Sequence, residues 1–326
     1  MSTLNVDIID YSSNVYQDVT VSGAPIKLIA ATNQVRVGTR ITPGYNTGQY
    51  ETTLGINNLN LCSGSSNTAI GFQTLSNSTT GFQNTGLGAF ALQFNTTGNS
   101  NTAVGLNALQ RTTTGSNNTA IGSNANYWNT TGYSNVTLGG TAGFYNSTGA
   151  DNVYIGATAG YYNTTGGSNI FIGGSSGYTT TSGNNNIFLG NFSSGATATV
   201  SNSITLGNSS NTVLRCAVTS ITSLSDVRDK KEITELPVGL EFIEGLKPVS
   251  FTWDDRAEEG KHDVKDFGFI AQDLKKSQED AELSDVLKLV YEENPEKLEA
   301  SYGKLIPILV KAIQELSIEI KQLKNK

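Results

Sequence analysis

The chain has 326 residues, a net charge of -7 and 15% charged residues, a length that allows two or three domains. Lys and Arg form no concentrated stripe, which argues against nucleic acid as a partner, and no stretch approaches the roughly 20 apolar residues that would cross a bilayer. The charge is unevenly spread: between Thr52 and Leu214 the only formally charged side chains are Arg111 and Asp151, whereas Asp226 to Lys326 is dense in both signs.

Residues 1–50 read as an N-terminal attachment region, with VDIIDYSSNVYQDVTV followed by a turn at Pro25. The opening MSTLNVDIIDYSS lacks a basic run followed by an apolar core, so the expectation is a chain that begins life in a cytoplasm, without an export signal.

From 51 to 210 the sequence repeats. An aliphatic residue followed by glycine recurs at Gly71, Gly88, Gly105, Gly122, Gly139, Gly156, Gly173, Gly190 and Gly207, each 17 residues after the last, and Gly38 and Gly55 continue the ladder upstream at spacings of 17 and 16. Asparagine stands four before the glycine from Asn67 through Asn186, and a second glycine seven before it from Gly64 through Gly183. A fixed period with fixed chemistry predicts one coil of a parallel β-solenoid, or β-roll, per repeat, in which the asparagines bond neighbouring backbone or stack as a ladder. At one strand spacing per coil the clear repeats give a rod of about 40 Å. Strand alternation predicts that Ile70, Leu87, Val104, Ile121, Leu138, Ile155, Ile172, Leu189 and Leu206 stack as one apolar row. It puts Val136, Val153, Ile170 and Ile187, two residues earlier, on the same inner face. Ala91, Ala108, Ala125, Ala142 and Ala159, three after the glycine, suit a close-packed turn or the approach of another chain.

The consensus TTGxxNTAIGxxA resembles the head repeats of trimeric autotransporter adhesins, which carry a similar NxxAIGxxA signature. The resemblance covers about residues 64–210 and implies a β-roll assembled as three chains. The longer period departs from that family, as does the expected lack of an export signal and membrane anchor, so only the architecture carries over.

Tyr127, Trp128, Phe144, Tyr145, Tyr161, Tyr162 and Tyr178 fall at the variable part of successive repeats. Two readings stand side by side: a receptor surface that stacks on sugar rings, or packing between coils or chains. Residues 211–224 read as a linker. Cys62 and Cys216 follow no metal or redox spacing and read as isolated buried thiols, and His262, in the polar run EEGKHDVKD, reads as a surface loop. No metal site and no cofactor are expected, since no phosphate-cradling, zinc or Ser-His-Asp pattern occurs.

Residues 225–326 change character. A short helix near Leu240 to Leu246, a strand at VSFTW, a strand running into a helix at DFGFIAQDL, and a long terminal helix predict a compact α+β domain. In the last helix Tyr302, Ile306, Leu309, Ile313, Leu316, Ile320 and Leu323 step by 4 and 3, the spacing of a coiled-coil seam. The helix can join chains or pack on its own domain, and Ile at a with Leu at d by itself favours two strands rather than three.

SDVRDKKEI, GLEFIEGLKPVSFTW, FGFIAQDL and YGKLIPILVKAIQEL resemble the intramolecular chaperone domain of endosialidases and phage tail fibres, an autoproteolytic serine peptidase family. The resemblance implies a domain that trimerises the chains, assists folding of a β-helical shaft and is cut off before the serine of its SDxRxK motif. That serine corresponds to Ser225, its lysine to Lys230, and the scissile bond to Leu224–Ser225. A neutral lysine can act as general base. Lys231 is the competing base, Arg228 a supporting cation, and Asp226 either orients Arg228 or Lys230 or caps a turn.

Together these readings predict a homotrimeric virion tail fibre or spike, assembled in the host cytoplasm. Its partners would be a baseplate or other tail protein and a host-surface glycan or protein receptor. A polysaccharide depolymerase is the first alternative, but glycosidic cleavage normally needs two carboxyl groups. The shaft offers only Asp151, short of a route through Asp7, Asp10, Asp18, Glu51 or symmetry-related copies of Asp151. An exported bacterial trimeric adhesin is the second.

Overall fold

The structure is a computed structural model that describes residues 51–59, 62–211, 214–215, 225–254 and 262–325, and the backbone of a strand at 35–37. The other expected features of the N-terminal region, the Leu224 side of the expected scissile bond, Cys216 and most of the expected linker lie outside the described residues.

A parallel β-solenoid occupies the repeat region. Strands β1 (Val35–Val37), β2 (Thr52–Ile56) and β3 (Thr68–Phe72) are followed by the three-residue strands β4 (Thr85–Leu87), β5 (Thr102–Val104), β6 (Thr119–Ile121) and β7 (Val136–Leu138). The series continues through β8 (Val153–Ile155), β9 (Ile170–Ile172), β10 (Ile187–Leu189) and β11 (Ile204–Leu206), and all pair in sequence order in one 11-stranded sheet. Register follows the repeat, with Thr102 beside Thr119 and Val104 beside Ile121. The upstream steps agree with the glycine spacings, Val35 lying beside Thr52 and Thr52 beside Thr68.

From β4 to β10 each strand is followed at once by a glycine that no other residue could replace cheaply. Gly105 has φ 131°, and a Cβ there would sit 2.5 Å from the carbonyl oxygen of Gly122 in the next coil. The remaining sides of each coil are turns, and these too bond coil to coil: the Leu92 N–H donates to Ala108 O (3.0 Å) and the Thr113 N–H to Thr130 O (2.9 Å).

The asparagine ladder forms as expected. The Asn118 side-chain NH2 donates to Asn101 Oδ1 (3.1 Å) and to Gly132 O (2.9 Å), while its own Oδ1 accepts from the backbone N–H and side-chain NH2 of Asn135 (3.0 and 3.1 Å). The pattern recurs up to Asn186, every rung buried. Glu51 takes the asparagine's place in the coil below, buried, with Oε1 accepting from Asn67 at 3.3 Å.

The inside and outside of the strands are the reverse of the expectation. The residue two before the glycine points into the lumen in β3 and in β5 to β10: Ala69, Ala103, Ala120, Thr137, Tyr154, Phe171 and Phe188 are 0% exposed. The aliphatic row faces outward instead, with Leu87 and Leu138 44% exposed and Ile172 38%. Val136 and Ile204 in the second aliphatic row are also exposed. The physical reason is width. A strand three residues long in a narrow coil sends only one side chain inward, and the lumen has room for little beside the turn residues that share it. The alanines three after the glycine are buried in that lumen, which fits the close-packed-turn reading.

Lumen packing divides into two clusters. The lower one holds Leu59, Leu75, Leu92 and Leu109 from the turns over Ala69, Ala103 and Ala120 from the strands, and the upper one holds Tyr154, Phe171 and Phe188 from the strands. Above the division the turn position six residues after the inward strand residue is glycine in three successive coils, at Gly143, Gly160 and Gly177, and a Cβ on Gly177 would lie 2.3 Å from the Phe171 ring; after Phe188 the position is Ser194 and Val200 joins the cluster. Between the clusters sit Asn126 and Thr137, both buried, and neither polar atom of the Asn126 amide has a hydrogen-bond partner.

The C-terminal region is α+β: helix α1 (Leu240–Glu244), the antiparallel pair β12 (Val249–Asp254) and β13 (His262–Gly268), helices α2 (Ala271–Asp280) and α3 (Ser284–Leu287), the pair β14 (Val290–Tyr291) and β15 (Glu299–Ala300), and helix α4 (Leu305–Lys324). His262, expected in a loop, is the first residue of β13. Leu274, Leu287, Leu289, Val290, Leu305 and Ile308 form the core.

Candidate functional site

Ser225 and Lys230 flank one tight turn. Val227–Asp229 form a 3-10 turn for which Asp226 is the N-cap, its Oδ1 accepting from the Arg228 backbone N–H at 2.9 Å. The turn brings Lys230 back to Ser225, where Nζ donates to Oγ at 2.5 Å and to the Ser225 carbonyl oxygen at 3.1 Å. A hydroxyl and an amine at this distance are within reach of direct proton transfer. Both residues are exposed.

Asp226 does two of the things expected of it and not the third. It caps the turn, and it holds Arg228 through Nε and Nη2 at 3.1 and 2.6 Å; no bond joins it to Lys230. The guanidinium holds the Asp226 carboxyl below its usual range, and the carboxylate raises Arg228 in turn. Arg228 is therefore neutralised by its neighbour, which weakens it as a cation acting on Lys230.

The terminal helix has two unlike faces. Leu305, Ile308 and Ala312 are buried, and Glu315 accepts from the Leu240 N–H at the start of α1 (2.6 Å), so one face packs on its own domain. The other face is bare: Ile306, Leu309, Ile313, Leu316, Ile320 and Leu323 are all exposed. Tyr302 stands apart from this seam, in a 3-10 turn ahead of the helix, with its hydroxyl accepting from Phe269 N–H (3.1 Å) and donating to Phe269 O (3.2 Å).

The seven aromatic residues of the solenoid form two adjoining columns. Tyr127, Phe144, Tyr161 and Tyr178 stack with centroids 5.1 to 5.3 Å apart. In the second column Tyr145 stacks on Tyr162 at 5.7 Å, and edge contacts such as Phe144 to Tyr145 at 4.8 Å join the two. Sequence reading missed the lower end of the second column, where the Arg111 guanidinium lies 5.0 Å from the ring centres of both Phe94 and Trp128. The signal was available, since Phe94, Arg111 and Trp128 are spaced by 17. Ring faces within the columns cover one another, so edges, hydroxyls and the column ends are what a ligand would meet.

Glu51 and Cys62 are both buried. Burial pushes the Cys62 thiol up, against a partly offsetting contact with Ser78, so it is an inert thiol. No helix among the described residues is long and apolar enough to cross a membrane.

Residues 225–283 match the model of a peptidase family described as the chaperone of endosialidase, and the match begins at Ser225 itself. No curated protein and no solved structure matches the chain. An intramolecular chaperone domain behind a parallel β-solenoid fits a protein of the tail fibre or tailspike type.

Proposed function

We propose that this chain is the subunit of a homotrimeric virion tail fibre or spike that attaches to a host surface, and that its C-terminal domain assembles three chains, folds the solenoid and then cuts the Leu224–Ser225 bond. The observation that carries the reading is the 2.5 Å contact between Lys230 Nζ and Ser225 Oγ at the first residue of the family match. Bare apolar residues along α4 support joining of chains.

In the proposed cut, Ser225 Oγ attacks the Leu224 carbonyl carbon while its proton passes to neutral Lys230. The tetrahedral intermediate breaks its C–N bond as the Ser225 nitrogen takes a proton, leaving an ester between the Leu224 carboxyl and the Ser225 oxygen. Water opens the ester, freeing a Leu224 carboxylate and the Ser225 hydroxyl and amine. A lysine is neutral near pH 7 only where burial or nearby cations lower it from its usual value of about 10.4. On this reading a neighbouring chain of the trimer supplies that cover.

The receptor would meet the aromatic band at Tyr127, Trp128, Phe144, Tyr145, Tyr161, Tyr162 and Tyr178, through ring edges and hydroxyls. The solenoid is read as a binder rather than a depolymerase because Glu51 is buried in the ladder, leaving Asp151 as the one exposed carboxylate between 51 and 211. Intact mass of the full chain beside Ser225→Ala and Lys230→Ala variants tests the cut. The reading expects a fragment starting at Ser225 from the parent chain alone, with a trimeric remainder by sedimentation. An uncut parent chain, or a fragment that persists in Ser225→Ala, removes the cleavage assignment, and a monomer removes the fibre assembly.

A further inference from the structure

The outer face of β3 to β11 is an unpartnered surface that runs the length of the solenoid. One row on it is aliphatic in every coil, from Ile70 to Leu206, and its members are half-buried or exposed. The flanking row is graded: Thr68, Thr85, Thr102 and Thr119 in the lower coils give way to Val136, Val153, Ile170, Ile187 and Ile204 in the upper ones. Neither Arg111, clamped between Phe94 and Trp128, nor the turn residue Asp151 lies on these strands.

We infer that this face is where copies of this chain meet along the shaft, side by side, parallel and in register; the inference rests on the homotrimeric reading above. Its chemistry excludes a charged partner and suits a surface like itself. Its size is adequate: a rod of about 40 Å carrying two aliphatic rows exposes on the order of 800 Å² per chain, the area a stable association needs.

Direction follows from the graded row. Antiparallel copies would set the Val/Ile half of one chain against the Thr half of the other, leaving aliphatic groups against hydroxyls along the whole length. Parallel copies in register bring Val/Ile to Val/Ile, and the step between Thr119 and Val136 penalises a slip by one coil, which the repeat alone would permit. The aromatic band is a poorer candidate for this contact. It spans only the coils from Phe94 to Tyr178, and its rings are already packed on one another.

The test uses the full chain with Cys216→Ser, leaving Cys62 buried, and single cysteines on three sides of the solenoid: Ile172→Cys on the strand face, Tyr162→Cys on the aromatic band and Ser182→Cys on an exposed turn. None of the three positions is in the lumen, so the coil itself is undisturbed. Sedimentation first establishes the number of chains, and a short bis-maleimide then reports proximity on a denaturing gel. The inference expects most Ile172→Cys chains to become covalently joined, with little joining at Ser182. A multimer that joins through Tyr162 or Ser182 and not through Ile172 overturns the face while leaving the trimer reading intact. A multimer in which Ile172→Cys joins only when mixed with Val104→Cys overturns the parallel register. A monomer overturns both this inference and the reading it rests on.

Discussion

The lower and upper halves of the solenoid share a backbone path, a period and an asparagine ladder, yet they fill the lumen from opposite walls. Below Asn126 the volume comes from the turn, as Leu75, Leu92 and Leu109, over small strand residues; above Thr137 it comes from the strand, as Tyr154 and Phe171 over Gly160 and Gly177 and as Phe188 over Ser194. The rings of Tyr154, Phe171 and Phe188 also stack on one another, at 5.3 and 4.8 Å. The lesson is that a solenoid lumen constrains the sum of two volumes and is indifferent to which wall supplies them, as expected where cores tolerate volume-conserving exchange.

The sharpest way to break that comparison is to convert one upper coil to the lower pattern. Phe171→Ala alone should cost about 3 to 5 kcal/mol, read as a shift in denaturant midpoint or, where unfolding is irreversible, as a faster unfolding rate. Adding Gly177→Leu should recover a large part of it, because leucine already occupies the matching left-handed turn position at Leu92 (φ 51°) and Leu109 (φ 50°). Gly177→Leu with Phe171 in place should be as damaging as Phe171→Ala, the new side chain meeting the ring at once. If the double variant is no better than the worse single one, the two walls are not interchangeable.

What the halves share should behave alike in both. Asn101→Ala and Asn169→Ala each strip a rung that serves its neighbours' buried N–H and carbonyl groups, so each should cost about 3 kcal/mol. A marked difference between them would show the ladder to be an accessory of one core type. At the boundary, Asn126→Leu extends the lower pattern by one coil and removes an unpaired buried amide; it should stabilise by about 1 to 2 kcal/mol.

The smallest effect belongs to the upper half alone. Tyr154 is buried with its hydroxyl accepting from Asn163, and burial raises its phenol well above the usual value of 10.0. Its neutral form is favoured by folding, so the contribution is fully present below pH 10 and is lost as pH rises toward the folded value. The expected slope is a loss of about 1.4 kcal/mol per pH unit above that point. Tyr154→Phe should flatten this part of the alkaline stability curve, while Asn163 keeps its bond to Gly166 O at 2.9 Å.

Much of this was legible in the sequence, and the failure is instructive. Period, strand pairing and ladder could all be read because each depends on spacing, whereas Ser225 and Lys230 were singled out only through the resemblance of SDVRDKKEI to a known motif. Which side of the strand faces inward could not, because alternation defines two faces and leaves open which is the lumen. The assumption that Ile and Leu go inside fails in a coil that admits one inward residue per strand. The usable clue was the reciprocal drift six residues apart, from Ala69 with Leu75 to Phe171 with Gly177. Asp226 with Arg228 was half legible: their nearness suggested a pair, but only geometry showed that the pair closes on itself.

The ladder has one more consequence. Each internal rung donates to the coil below and to a carbonyl of the coil above, from which it also accepts, so a whole coil can be added or removed between two others without breaking the ladder. The length of the rod is therefore quantised, changing in steps of about 4.8 Å with each repeat gained or lost.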